Sequence, residues 1–81
     1  MYQKVEITWL DAIGPVNYWE DSNELKPLIP AKVLTVGYVL EDTETYITVA
    51  QCVPVNKADT TLYSGRFTIP RGCIVKIKKL R

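Results

Sequence analysis

The sequence predicts an all-β domain, a small five-stranded half-open barrel of the SH3-like or Sm-like kind with one short helical turn. Three observations predict it: runs of alternating apolar and polar residues, turn-forming residues between these runs, and a glycine inside the second run. With 81 residues, 47% of them hydrophobic, the chain is expected to form a single domain over residues 1–81. An OB-like barrel is the alternative, although the segment 54–60 is too short for the helix that OB barrels usually carry between their third and fourth strands.

The first strand is predicted over residues 5–9, where apolar and polar residues alternate strictly. Because successive strand residues point to opposite faces, one face carries only apolar side chains. These side chains are Val5, Ile7 and Trp9. We therefore expect Trp9 to lie in the core.

A long connection follows the first strand. Residues 11–18 include glycine, proline and asparagine, which end the strand and begin an irregular loop. Asp21 precedes Glu24 by three residues, the spacing of a helix start, so a short helical turn is predicted over residues 22–26. Pro27 stops this helix and favours an extended backbone into the next strand.

The second and third strands are predicted as a hairpin. Residues 32–41 and 46–53 are rich in valine, isoleucine and tyrosine, and a polar turn separates them. Gly37 interrupts the first of these runs, which indicates a bulge or a sharp bend of a small barrel. A polar loop over residues 54–60 ends the hairpin.

The last two strands are predicted over residues 62–69 and 73–80, with a turn at 70–72 between them. Strict alternation in the last strand gives two predicted faces. One holds Cys73, Val75 and Ile77, and the other holds Ile74, Lys76, Lys78 and Leu80.

The missing residues exclude several chemistries. The chain has no histidine, which removes nucleophiles paired with an imidazole base and histidine zinc sites. Cys52 and Cys73 are too few for a zinc site within one chain, and the four glycines form no phosphate-binding loop. No apolar run approaches the length of a membrane span. We therefore expect a cytosolic, non-enzymatic protein with reduced, packed cysteines and without a metal or cofactor.

Charge is distributed unevenly along the chain. The net charge is +1, yet residues 66–81 hold six basic side chains and no acidic one, which leaves 4 minus 9, or −5, for residues 1–65. Lys76 and Lys78 either attract phosphates or protect an edge strand from aggregation. Arg66 and Arg71 are stronger phosphate candidates, because a guanidinium binds phosphate bidentately. A pI of 7.7 favours one small phosphorylated ligand over long nucleic acid.

Loop and strand aromatics complete the candidate site. Tyr18 and Trp19 lie between turn signals, where they either stack on a base or cover one side of the barrel. Tyr63 lies within the predicted fourth strand, where aromatic residues are favoured for packing alone, and Asp11 follows the first strand, where it is typical of a turn, so packing and turn roles remain open for the two. The candidate ligand-binding residues are Arg66, Arg71, Trp19, Tyr18, Asp11 and Tyr63.

A pattern spanning nearly the whole chain resembles a family of small uncharacterised proteins encoded by tailed bacteriophages. Its members are Val5, Ile7, Trp9, Asp11, Trp19, Val36-Gly37-Tyr38, Tyr46-Ile47-x-Val49-Ala50 and Ile69-Pro70-x-Gly72-Cys73-Ile74-x-x-Ile77-x-x-Leu80. The resemblance implies a phage accessory protein without disulfides, made in the cytoplasm of the bacterial host. It implies no catalytic residue.

Several unrelated small phage proteins inhibit bacterial immunity by sequestering cyclic nucleotides or ADP-ribose-derived signals between identical subunits. By this analogy we expect a homo-oligomeric anti-defence protein that binds such a nucleotide. The alternatives are a protein-interaction module that inhibits a host or defence protein and, third, a nucleic-acid-binding small barrel.

Overall fold

The computed structural model describes residues 2–55 and 61–81 and contains one antiparallel sheet. The described residues form five strands: β1 (Lys4–Asp11), β2 (Ala31–Asp42), β3 (Tyr46–Cys52), β4 (Ser64–Pro70) and β5 (Ile74–Lys79). Single 3-10 turns occupy Ser22–Glu24 and Arg71–Cys73. The strand order is β4-β3-β2-β1-β5, which confirms the predicted all-β class and places the last strand beside the first.

Strand β2 is shared by two parts of the sheet. Its residues Ala31–Tyr38 pair with β1, whereas its pairing with β3 covers only Tyr38–Asp42 and contains a register shift between Val39 and Glu41. The predicted irregularity therefore occurs just after Gly37. Gly37 itself allows a close approach, because a Cβ added there would lie 2.9 Å from the Cβ of Val49.

The core lies on one face of the sheet. Its buried side chains are Val5, Ile7, Trp9, Ile47, Val49 and Ile69. The ring centroids of Trp9 on β1 and Phe67 on β4 are 5.7 Å apart. In a flat sheet three interstrand spacings of about 4.8 Å would separate these strands by about 14 Å. The sheet is therefore strongly curved, and the predicted core position of Trp9 is confirmed.

The curved sheet remains open. Within residues 2–55 and 61–81, the edge strands β4 and β5 do not pair with each other. A closed SH3-like barrel is thus not confirmed. None of the helices in this part of the chain is long and apolar enough to cross a membrane.

The predicted faces of β5 are partly wrong. A register shift between Thr8 and Trp9 places Ile74 opposite Trp9 and Ile77 opposite Ile7, so that both isoleucines pack against the core. Val75 is consequently exposed rather than sharing the face of Ile77. The extra residue of the bulge interrupts the strict alternation on which the prediction depended.

Three local predictions have mixed outcomes. The helical turn is present but shorter than expected, and the Asp21 carboxylate accepts a hydrogen bond from the Asn23 backbone N–H at 2.9 Å.

Both cysteines are free; Cys73 packs against the core, whereas Cys52 is exposed and does not pack as expected. Of the predicted polar loop 54–60, residues 56–60 lie outside the described part of the chain.

Candidate ligand groove and apolar arm

A groove opens where β3 leaves β2. The two strands pair no further than Tyr38 and Ala50, so among residues 2–55 and 61–81 nothing pairs with the first half of β2 on this side, which leaves a free edge. The groove has a volume of about 530 Å³. It is lined by Leu34, Thr35, Val36, Val49, Gln51, Gly65, Arg66 and Phe67.

Gly65 is required for the wall of the groove. Its φ of +73° lies in the left-handed region, which side chains other than glycine adopt at a cost. A Cβ there would also lie 2.6 Å from Gln51 Oε1. Gly65 therefore lets the Gln51 side chain pack closely over the start of β4.

Arg66 brings a charge to the groove, and Phe67 brings an aromatic ring. Both side chains are exposed, and the Arg66 side chain forms no hydrogen bond or ion pair with any other described residue. Consecutive strand residues point to opposite faces. Both residues nevertheless line the groove, which opens beside the part of β2 that does not pair with β3. A free guanidinium and an aromatic ring are thus available to the same ligand.

Arg71 has a different environment. It lies in the 3-10 turn after β4, where its Nε donates to the Thr43 carbonyl at 3.0 Å and its guanidinium forms an ion pair with Asp42. Its backbone N–H also donates to the Thr45 carbonyl at 2.9 Å. These contacts fasten the β2–β3 turn to the end of β4. Arg71 follows Arg66 by five positions, about 17 Å of extended chain, so the structure does not bring the two arginines together.

Tyr18 and Trp19 belong to a projecting segment, residues 12–30, which we call the apolar arm. Its exposed large side chains are Ile13, Tyr18, Trp19, Leu25, Leu28 and Ile29. Trp19 is 101% exposed, so it contacts almost nothing in the single chain. Within the arm, the Glu24 backbone N–H donates to the Asp21 carbonyl.

The arm makes the molecule long. Its principal extents are 61 × 22 × 21 Å and its radius of gyration is 17.1 Å, against about 12 Å for a compact chain of this length. Gly14 and Leu28 lie side by side, continuing the register in which Asp11 faces Ala31. The two legs of the arm therefore extend the β1–β2 hairpin away from the core.

The other two candidate residues lie elsewhere. Asp11 is exposed at the base of the arm, opposite Ala31. Tyr63 lies just before β4 and lines a second groove of about 330 Å³ with Cys52, Pro54 and Leu62. The six predicted ligand residues therefore occupy several separate places, and only Arg66 lies in the larger groove. Sequence patterns did not identify Gln51 or Phe67, because no local pattern shows at which residue the pairing of β3 with β2 ends.

One ionisable group is perturbed at the far end of β3. The Tyr46 hydroxyl donates to Glu41 Oε1 at 2.8 Å. This hydrogen bond, together with the negative charge of Glu41 and slight burial, raises the pKa of Tyr46. Among the described residues no group of three histidine, cysteine, aspartate or glutamate side chains could hold a metal ion.

Comparison of the chain with protein-family models, with curated proteins and with solved structures gives no match. The resemblance to phage proteins therefore stays a prediction. Function is inferred below from the groove, the arm and the distribution of charge.

Proposed function

We propose that the protein is a non-enzymatic phage accessory protein that binds and sequesters a small nucleotide immune signal, a cyclic oligonucleotide or an ADP-ribose derivative. One observation carries this function: Arg66, whose side chain has no partner among the described residues, and the exposed Phe67 line the same groove of about 530 Å³. Ligand sites typically have volumes of about 300 to 1,000 Å³, so a nucleotide-sized molecule fits. The phage context comes from the resemblance in the sequence.

Each groove side chain matches one part of such a ligand. The Arg66 guanidinium offers two parallel N–H donors to a phosphate. The Phe67 ring offers a face on which a base stacks. The Gln51 side chain, exposed at the groove wall, both donates and accepts hydrogen bonds and so suits a base edge. One cation in the groove suits a compact ligand better than a long polynucleotide, whose binding depends on many phosphate contacts.

The fold that we infer around this groove is an SH3-like half-open barrel. Three features support it: the strand order β4-β3-β2-β1-β5, the long β2 shared by both parts of the sheet, and the 3-10 turn Arg71–Cys73 directly before β5. In such a barrel the free edge of β2 forms a permanent opening, so the groove is available without rearrangement of the core.

Sequestration needs affinity and no turnover. A nanomolar dissociation constant corresponds to about −12 kcal/mol, which keeps a signal from its receptor when the binding protein is in modest excess. The groove has no histidine with which to transfer protons near neutral pH. We accordingly expect the bound ligand to be released unchanged.

A thermal-shift screen tests this function, with cyclic dinucleotides, cyclic trinucleotides and cyclic ADP-ribose isomers as probes. A ligand at a hundred times its dissociation constant adds about 2.7 kcal/mol of stability, which shifts the melting temperature of a small domain clearly. Arg66→Ala should weaken binding at least about tenfold, as expected for a lost charged hydrogen-bonding partner. Arg81→Ala removes an equal charge elsewhere and should leave binding unchanged.

Mass spectrometry of the ligand released by heating completes the test. An intact ligand supports sequestration, whereas an altered mass means an enzyme. Binding that survives Arg66→Ala, or no shift with any probe, contradicts the proposed site.

A protein-interaction module is the second candidate, because the arm exposes six large apolar side chains. Exposed apolar patches of this kind mark interaction surfaces. This function predicts that the protein recovers one stoichiometric host protein from bacterial lysate. Trp19→Ala should abolish that recovery and Val55→Ala, at another exposed apolar position, should not.

A further inference from the structure

The apolar arm carries negative charge as well as exposed apolar side chains. Residues 12–30 contain three acidic side chains, Glu20, Asp21 and Glu24, and one basic side chain, Lys26, for a net charge of −2. All four side chains are exposed. A surface that covers this arm should therefore be apolar with a basic rim.

The body of the same chain presents such a surface on the side of β5, β1 and β2 opposite the core. The cross-strand register places Lys76 and Leu34 on either side of Thr8, and Lys78 and Val36 on either side of Glu6. Leu10 and Lys32, which face each other, continue the same side of the sheet. We call these eight residues the outer face.

The outer face matches the arm in polarity and opposes it in charge. Its Leu10, Leu34 and Val36 side chains are large, apolar and exposed. Three lysines and one glutamate give it a net charge of +2, against −2 for the arm. Opposite charges on two apolar surfaces favour their association and fix its orientation.

The arm does not cover the outer face of its own chain. Leu34 and Val36 remain at least half exposed in the single chain, and the arm extends away from the end of the sheet at Asp11 and Ala31. A second copy can supply the missing cover.

We propose that the arm of one copy packs on the outer face of a second copy, so that the protein assembles by exchange of arms. Leu34 and Val36 belong both to the outer face and to the groove that contains Arg66. An arm seated on them brings its Tyr18 and Trp19 to the edge of that groove. The idea that these two aromatic side chains complete the ligand site rests on the proposed nucleotide-binding function, whereas the self-association does not.

Sedimentation equilibrium of the full chain over a range of concentrations tests the assembly. Wild-type protein should be larger than a monomer. Glu20→Lys with Glu24→Lys reverses the arm from −2 to +2, and Lys76→Glu with Lys78→Glu reverses the outer face from +2 to −2. Each pair alone should raise the dissociation constant at least about tenfold, because like charges then meet.

Combining the two pairs in one chain restores opposite charges and should restore assembly. Lys79→Glu with Arg81→Glu changes the net charge as much as the outer-face pair does. Lys79 faces Val5 on the core side of the sheet, so this control should assemble like wild type. Far-UV circular dichroism and thermal unfolding of every variant check that the fold is kept.

Three results overturn the arm exchange: a wild-type monomer at all concentrations, assembly that neither charge reversal weakens, or failure of the combined variant to reassociate while it remains folded. Ligand binding is read separately with Arg66→Ala, which should assemble normally. An oligomer that binds no probe therefore defeats only the nucleotide function, and a monomer that binds one defeats only the arm exchange.

Discussion

The indole ring of Trp9 lies against the phenyl ring of Phe67, with centroids 5.7 Å apart and planes inclined by 51°, although two strands separate β1 from β4 in the sheet. The Trp9 indole N–H also donates to Thr35 Oγ1 at 2.9 Å on β2. One side chain thus joins three strands. The contact therefore joins β4 to β1 across the curved sheet.

Truncation of this side chain should be costly. Trp9 is 8% exposed, so Trp9→Ala should lower the free energy of unfolding by about 3 to 5 kcal/mol through lost packing and a cavity. Urea unfolding followed by far-UV circular dichroism measures the change. Val55→Ala, at a fully exposed position, should change it by less than about 0.5 kcal/mol. Equal effects of the two substitutions would contradict this role of Trp9.

Gly37 and Gly72 differ in the space that each leaves for a side chain, so they serve as test position and control. A Cβ at Gly37 would meet Val49 at 2.9 Å and the Ala50 carbonyl oxygen at 3.0 Å, whereas a Cβ at Gly72 meets nothing within 4 Å. Gly37→Ala should therefore destabilise the fold by about 1 to 3 kcal/mol, the usual cost of overpacking. Gly72→Ala should be neutral or slightly stabilising. Chemical denaturation of both variants under one condition checks the difference.

Arg71 should matter for stability and Arg66 for binding. Arg71→Ala removes the hydrogen bond to Thr43 and the ion pair with Asp42, and should cost about 1 kcal/mol because both partners are partly exposed. Arg66→Ala, at an exposed side chain with no partner among the described residues, should leave the unfolding midpoint in urea unchanged. A double-mutant cycle of Arg71→Ala with Asp42→Asn should show coupling; strictly additive effects would mean that the ion pair contributes nothing.

The Tyr46–Glu41 hydrogen bond predicts a pH dependence at the alkaline end. The folded state favours the neutral phenol, which raises its pKa above the unfolded value. Its contribution to stability is therefore complete below the unfolded pKa of about 10 and is lost as pH rises through the folded pKa. The absorbance of tyrosinate should rise at a higher pH in the wild type than in Glu41→Gln. Subtracting the titration of Tyr46→Phe isolates this residue, and an unchanged titration in Glu41→Gln would refute the assignment.

Much of the sheet could be predicted from local pattern. Alternation in residues 5–9 identified β1 and its buried face because both properties depend only on neighbouring side chains. Ile74 and Val75 were assigned to the wrong faces because a bulge shifts the alternation, and a bulge depends on the partner strand. Pairing between distant segments, not local propensity, decides such positions.

The candidate site was less predictable than the sheet. Arg66 was identified from its charge, and the structure places it in the groove. Phe67 and Gln51 join it only because β3 leaves β2 after Ala50, a relation between strands that no short sequence pattern reveals. The contacts of Arg71 with Asp42 and Thr43 cross 28 or 29 positions of the chain and were likewise invisible from the sequence.

The contrast between Trp9 and Trp19 gives the protein two optical reporters. The chain has two tryptophans, one nearly buried and one fully exposed. An aqueous quencher should reach the indole of Trp19 and be excluded from that of Trp9. Fluorescence protection of Trp19 therefore reports coverage of the arm, while the emission of Trp9 reports loss of the core. A single titration of unlabelled protein can separate dissociation of subunits from unfolding.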